Sequence, residues 1–129
     1  MNTSSQASQD STPLLEIRDL RISFASPQGT TEAVRGVNLR MGRERVAVVG
    51  ESGSGKSISF RSLLGLLPAS ATVRADRMSL SGEDLLALSP RAMRELRGGR
   101  IGMVVQDPKQ GLDPLMTIGK QLAEMLKLH

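Results

Sequence analysis

There is no cysteine anywhere in the 129 residues. Disulfide scaffolds, thiol nucleophiles and Cys-ligated zinc sites are excluded together. Tryptophan and tyrosine are also missing, and the only aromatics are Phe24 and Phe60. A core must therefore come from Leu, Val, Ile, Met and Ala, which the 39% hydrophobic content supplies. Long apolar runs are absent too. The longest patches, Val46–Val49 and Leu63–Leu67, fall far short of the ~18–20 residues that span a bilayer. Charge of one sign is scarce: 17 basic against 13 acidic residues leave +4, spread along the chain. Nucleic-acid binders usually concentrate such an excess and add aromatic stacking platforms, so no nucleic-acid partner is expected. Residues 1–13 are rich in Ser, Gln and Thr, without a basic cluster or apolar stretch, and read as a disordered tail instead of a signal peptide.

What is present begins with alternation. Leu15, Ile17 and Leu20, then Ile22 and Phe24, interleave with polar residues at the period of half-buried strands. Ser26-Pro27-Gln28-Gly29 supplies turn residues, and Val34, Val37, Leu39 and Met41 mark a second run. This first part predicts an antiparallel β layer. Arg45–Val49 is continuously apolar after its Arg and predicts a strand buried on both faces. Lys56–Leu67 predicts a helix stopped by Pro68. Downstream come a short strand at Met78–Leu80 and a helix from Arg91 to about Arg97, opened by Ser89 as N-cap with Pro90 and ended by Gly98-Gly99. Ile101–Val105 predicts another buried strand, and Thr117 can cap a last helix with Ile118, Leu122, Met125 and Leu128 on one side.

Between the apolar run and the first helix stands Gly50-Glu51-Ser52-Gly53-Ser54-Gly55-Lys56-Ser57, a full G-x-x-x-x-G-K-[ST] match. Each part has a physical task. A polyphosphate needs many donors in a small volume, and glycines let consecutive amides turn inward because they accept positive φ. The following helix N-terminus adds unpaired amides and partial positive charge. Lys56 supplies a full mobile charge for the β- and γ-phosphates, and Ser57 a hydroxyl for Mg²⁺. Strand before and helix after are the context that separates this loop from a chance Gly-rich turn. A dinucleotide-binding fingerprint fails, because Ile58 stands where its third glycine belongs. The cofactors expected are ATP and Mg²⁺.

The chain resembles the N-terminal half of the ATPase subunit of ABC transporters, most closely the oligopeptide/dipeptide/nickel importer branch. The resemblance runs from about Leu14 to His129. Leu15–Leu20 with Ile22-Ser23-Phe24 looks like that branch's first hairpin, and Ala33-Val34-Arg35-Gly36-Val37 like its second. Val49–Ser57 has the branch's form of P-loop. Ile101–Pro108, with Leu112-Asp113-Pro114 and Met116-Thr117-Ile118-Gly119, is similar to its Q-loop and the start of its helical subdomain.

The resemblance implies an α/β fold: a P-loop core sheet with an N-terminal antiparallel β subdomain, cut before the helical subdomain is complete. It implies that Gln106 is the Q-loop glutamine, meeting Mg²⁺ and the attacking water. It implies that Phe24 stacks on adenine, against the plainer reading of a core Phe on a strand. Asp107 as a Mg²⁺ aspartate is disfavoured because Gln106 intervenes after the apolar run. The implied function is ATP-driven import of a solute, peptide foremost, from the cytoplasmic face of the inner membrane. The implied partners are transmembrane permease subunits, a second ATPase subunit and, indirectly, a solute-binding protein.

Two look-alikes are set aside. Leu80-Ser81-Gly82-Glu83 resembles the start of the family's signature but precedes Gln106, and reads more simply as a strand-to-turn segment. Arg91, Arg94 and Arg97 read as a solvated helical face. The signature, the catalytic glutamate and the switch histidine are not found, and the single histidine is His129. Residues 14–129 are accordingly expected to be a partial nucleotide-binding domain, a fragment of low stand-alone stability that does not hydrolyse ATP alone. Two other readings stay open: a nucleotide-binding remnant without hydrolysis, and an ABC-type DNA-repair ATPase.

Overall fold

The computed structural model describes residues 12–107 and 111–128. The predicted tail therefore lies, up to residue 11, outside the described residues, as do Pro108 and His129. Two compact units divide the chain, one up to Leu88 and one from Ser89.

The first unit is built on an antiparallel sheet. Strand β1 (Leu15–Ser26) and strand β2 (Gly29–Met41) form a long hairpin closed at Pro27-Gln28, where Ser26 pairs with Gly29. The two segments that resemble successive hairpins are thus opposite strands of one. On its other side β1 pairs with β3 (Ala71–Arg74) near its end and with β4 (Arg77–Leu80) near its start. Strand β5 (Glu83–Asp84) folds back on β4 through Ser81 and Gly82, both at positive φ. That turn is what the signature look-alike forms.

The β1 alternation holds but changes phase. Leu15 and Ile17 are buried, and so are Leu20 and Ile22. Three residue steps from Ile17 to Leu20 face only two from Leu39 to Val37, so one extra residue is accommodated on β1. Asp19 takes it up at φ 46. Its carboxylate accepts from Arg21 Nε and Nη2, and its amide donates to Asn38 Oδ1 at 3.0 Å. One step from Leu20 to Arg21 then faces two on β2, from Val37 to Arg35, where Gly36 sits at φ 90. A β-carbon on Gly36 would come within 2.8 Å of Asp19 Oδ1, so the two irregularities fit each other. With both in place Leu15, Ile17, Leu20, Ile22, Val34, Met78 and Leu80 form the core of this unit, joined by Leu63, Leu64 and Leu85.

Helix α1 runs from Lys56 to Leu63, shorter than predicted. Its end is a turn in which Leu64 and Leu66 both donate to the Arg61 carbonyl and Gly65 takes φ 60. A glycine at positive φ stops the helix before Pro68 does.

The second unit holds α2 (Pro90–Gly99) and α3 (Ile118–Leu128). Ser89 Oγ accepts from the Ala92 amide at 3.2 Å, and Pro90 occupies the first turn, as the sequence predicts. Arg97 and Gly98 leave helical geometry, with Gly98 at φ 82. Thr117 Oγ1 accepts from the Lys120 amide at 3.4 Å, at the start of α3.

The α/β class holds, with one correction inside it. Neither Arg45–Val49 nor Ile101–Val105 forms the predicted buried strand. Val49 is 92% exposed and Val104 97%. A run apolar on both faces gains nothing from strand geometry until neighbours take its hydrogen bonds and cover it. Among the described residues, the only pairing either run makes is an isolated bridge from Ile101 to Arg97.

Candidate functional site

The P-loop lies wholly in the first unit. Gly53 and Gly55 adopt φ 81 and φ 87, the left-handed values that the motif's glycines were expected to supply. Between them Ser54 donates its amide to the Glu51 carbonyl, closing a turn. Gly55 is buried and serves as N-cap of α1 without a side-chain cap. No acidic residue occupies the first turn of that helix. The helix N-terminus, with its partial positive charge, is therefore offered to an external anion and not spent on a carboxylate of its own.

What fixes the loop against the sheet is β2. One step from Ile22 to Ser23 faces two from Val34 to Glu32, so Ala33 is an extra residue on β2. The Ala33 carbonyl and Val34 Cγ2 lie 3.0 and 3.1 Å from where a Gly55 β-carbon would stand. A bulge in the sheet thus receives the loop's last glycine, and only a residue without a side chain fits there.

Lys56 turns back over the loop. Its Nζ donates to the Gly50 carbonyl and the Glu51 carbonyl, both at 2.6 Å, and to Ser54 Oγ at 3.0 Å. The ammonium group is thereby placed at the centre of the Gly50–Ser54 turn. Ser57 is exposed one residue further on, in the first turn of α1. Ser59 tightens that turn, since its amide and its hydroxyl both donate to the Gly55 carbonyl at 2.9 Å.

A cavity of about 330 Å³ opens beside Lys56. Ile17, Val37, Leu39, Val48 and Phe60 form its apolar wall, and Asn38, Ser54 and Lys56 its polar side. That volume is in the range of small-molecule sites. The aromatic lining it is Phe60. Phe24, the expected adenine partner, is half-buried in β1 opposite Thr31 and Ala71 and is not part of that lining.

The donor set fits a polyphosphate. Positive-φ glycines, a helix start with neither a side-chain cap nor an acid in its first turn, and a lysine at the loop's centre supply donors and charge. No group of three His, Asp or Glu residues that could hold a metal occurs among the described residues. Mg²⁺ here would depend on the Ser57 hydroxyl and on phosphate oxygens, the way this cation is usually held next to nucleotides. Gln106 belongs to the second unit, exposed at a bend directly after the Ile101–Val105 run.

The loop is legible in the sequence, whereas Ala33, Asn38 and Phe60 are not. Only Ala33 left a signal, as part of the Ala33–Val37 segment. Asn38 and Phe60 reach the cavity through strand register and helix phase, which no local pattern announces.

Comparison with known proteins bears on the same segment. A family model described as ABC transporter matches residues 34–127. The chain is 42% identical to an oligopeptide transport ATP-binding protein, OppD, of Bacillus subtilis over 120 residues, covering 92% of this chain and 34% of that protein. It is 43% identical to OppD of Salmonella typhimurium over 129 residues, 98% of this chain and 38% of the relative. With the dipeptide transport ATP-binding protein DppD of Bacillus subtilis it shares 44% over 118 residues, 90% of this chain and 35% of the relative. The chain spans a little over a third of the length of these curated relatives.

Proposed function

From the premise that this chain belongs to the ABC transporter family, we propose that it binds Mg·ATP at residues 50–57 as part of a subunit that energises peptide import. The observation that carries this reading is the loop's electrostatics. The Lys56 ammonium stands at the centre of the loop, before a helix start that has neither a capping side chain nor an acid in its first turn. Such a constellation attracts a compact, multiply charged anion.

The roles follow residue by residue. Gly50, Glu51, Ser52, Gly53, Ser54 and Gly55 offer backbone to the phosphates, and Lys56 neutralises the β- and γ-groups. Ser57 holds Mg²⁺. Gln106 meets the cation and the attacking water, and Phe24 stacks on adenine; both assignments rest on the resemblance. Phosphoryl transfer needs positioning and charge stabilisation above all, so each of these groups orients instead of reacting.

Peptide as the cargo class is supported by the names of the relatives, oligopeptide and dipeptide transport ATP-binding proteins. Permease subunits and a second ATPase subunit are the proposed partners, with the protein peripheral on the cytoplasmic face of the membrane. No helix among the described residues is long and apolar enough to cross a membrane, which is consistent with a peripheral place.

Calorimetric titration with Mg·ATP, ADP and GTP tests the core of the reading. Uptake of ATP by the wild-type chain, weakened at least tenfold by Lys56→Ala, is expected. Equal affinity in the variant, or no uptake of any of the three nucleotides, rejects it. Turnover measured in the same samples separates an ATPase from a nucleotide binder that does not hydrolyse.

A further inference from the structure

An ammonium group has three N–H donors, and in this structure Lys56 spends all three on its own loop. Two go to main-chain carbonyls, Gly50 and Glu51, and the third to the hydroxyl of Ser54. The Glu51 carbonyl also accepts from the Ser54 amide, so one turn gathers lysine and serine around a shared oxygen. A phosphate oxygen can accept from Lys56 only when at least one of these contacts is given up. Carbonyls come with any sequence. The Ser54 hydroxyl is the one contact that the choice of side chain controls.

Two further observations single Ser54 out. It is exposed, so burial does not demand a partner for its hydroxyl. A β-carbon on Gly50 would stand 3.0 Å from Ser54 Oγ and 3.6 Å from Lys56 Nζ, so the room that lets the two side chains meet depends on the motif's first glycine.

We infer that Ser54 is a positioning residue whose hydroxyl, with the Gly50 and Glu51 carbonyls, latches Lys56 against its own loop, a latch that incoming nucleotide phosphate must displace. The inference rests on the nucleotide-binding reading above and adds a gate to it. The lysine acts as a stand-in cation that satisfies inward carbonyls until phosphate draws it away. The latch sets a threshold for nucleotide uptake without touching the chemistry of the γ-phosphate.

The test uses the full chain as wild type, Ser54→Ala and Ser54→Thr. Amide hydrogen exchange across residues 52–56 without nucleotide reads the latch itself, and stopped-flow uptake of a fluorescent ATP analogue with Mg²⁺ reads the gate. Far-ultraviolet circular dichroism checks that the variants keep the wild-type fold, since an exposed hydroxyl carries no core. A hydrogen bond to a charged group sets the scale. Ser54→Ala is expected to exchange about three- to tenfold faster in this segment and to take up nucleotide tighter by a similar factor, while Ser54→Thr, which keeps a hydroxyl, shifts less than Ser54→Ala in both measurements. Unchanged exchange, or nucleotide affinity unchanged or lowered in Ser54→Ala, overturns the latch. Should wild type itself take up no nucleotide, the proposed function falls, and the exchange measurement alone then decides whether the latch exists.

Discussion

The carbonyl oxygen of Ala33 stands 3.0 Å from the point where Gly55 would carry a β-carbon. Ala33 is the extra residue of a bulge in β2, and Gly55 is the last residue before α1. The P-loop's hold on the sheet thus comes down to a backbone oxygen facing a hydrogen.

Gly55→Ala should therefore fail twice over. Alanine at φ 87 is strained by about 1–2 kcal/mol, and its methyl group meets a carbonyl that cannot rotate away. The expected loss is about 2–3 kcal/mol of stability, read as a lowered urea midpoint, together with weaker ATP uptake. Gly53→Ala is the control. It carries similar strain at φ 81 but has nothing within 4 Å of the added carbon, so it should lose only the strain. Equal losses in the two variants would show that the bulge contact contributes nothing.

Much of this architecture was legible beforehand, and the failures share one cause. Alternation in Leu15–Phe24, the Ser26–Gly29 turn and the Ser89-Pro90 helix start are local signals, and local geometry satisfies them. The P-loop is also local, a matter of glycine placement and one lysine. Arg45–Val49 and Ile101–Val105 are different. Their apolarity specifies burial without saying against what, and neither is a strand here. The partners of Lys56 were equally invisible, because two are main-chain carbonyls, which every residue has. Nor does any pattern announce that Asp19 and Gly36 carry irregularities that fit each other across the hairpin.

Glu16 illustrates a buried charge held by its neighbours. Its carboxylate, on a side chain only 9% exposed, receives Arg18 Nη2 at 2.6 Å and Arg77 Nε at 2.8 Å. Both arginines remain about half open to water, which screens the pairs. Glu16→Gln keeps the shape and removes the charge. It should cost about 1–2 kcal/mol in urea unfolding, less than the full value of the charged contacts it weakens. Raising ionic strength to about 0.5 M should shrink the difference only in part, because the carboxylate itself is shielded from counter-ions. A difference abolished by salt would mean the pairs behave as a surface contact.

In the second unit the start of α2 rests on Ser89, whose hydroxyl accepts from the Ala92 amide. An unmatched N-cap costs about 1 kcal/mol. Ser89→Ala should expose the first-turn amides of α2, giving faster hydrogen exchange at Ala92 and Met93, whereas Ser89→Asp should preserve protection. Exchange that is equally fast in wild type and Ser89→Ala would remove the cap from the account.

The Asp19–Arg21 pair should leave a signature in the acid limb of stability. Its hydrogen bond from Arg21 holds the Asp19 carboxyl below its ordinary value of 3.8. A folded-state pKa below the unfolded one means the carboxylate contributes stability above the unfolded value, and loses it as pH falls through the folded one. Glu44 is lowered as well, by the Gly42 amide, so wild-type acid sensitivity is a composite. Asp19→Asn isolates the first part, since asparagine tolerates the positive φ of 46 while carrying no charge. The stability gap between wild type and this variant should be widest above roughly pH 4 and narrow steadily below it, as Asp19 in the wild type takes up its proton. Arg21 stays charged throughout, so nothing on the alkaline side should close the gap before the fold itself is lost. A gap that keeps one size from neutral pH down to the acid transition would show that the titrating charge of Asp19 contributes nothing to this hairpin.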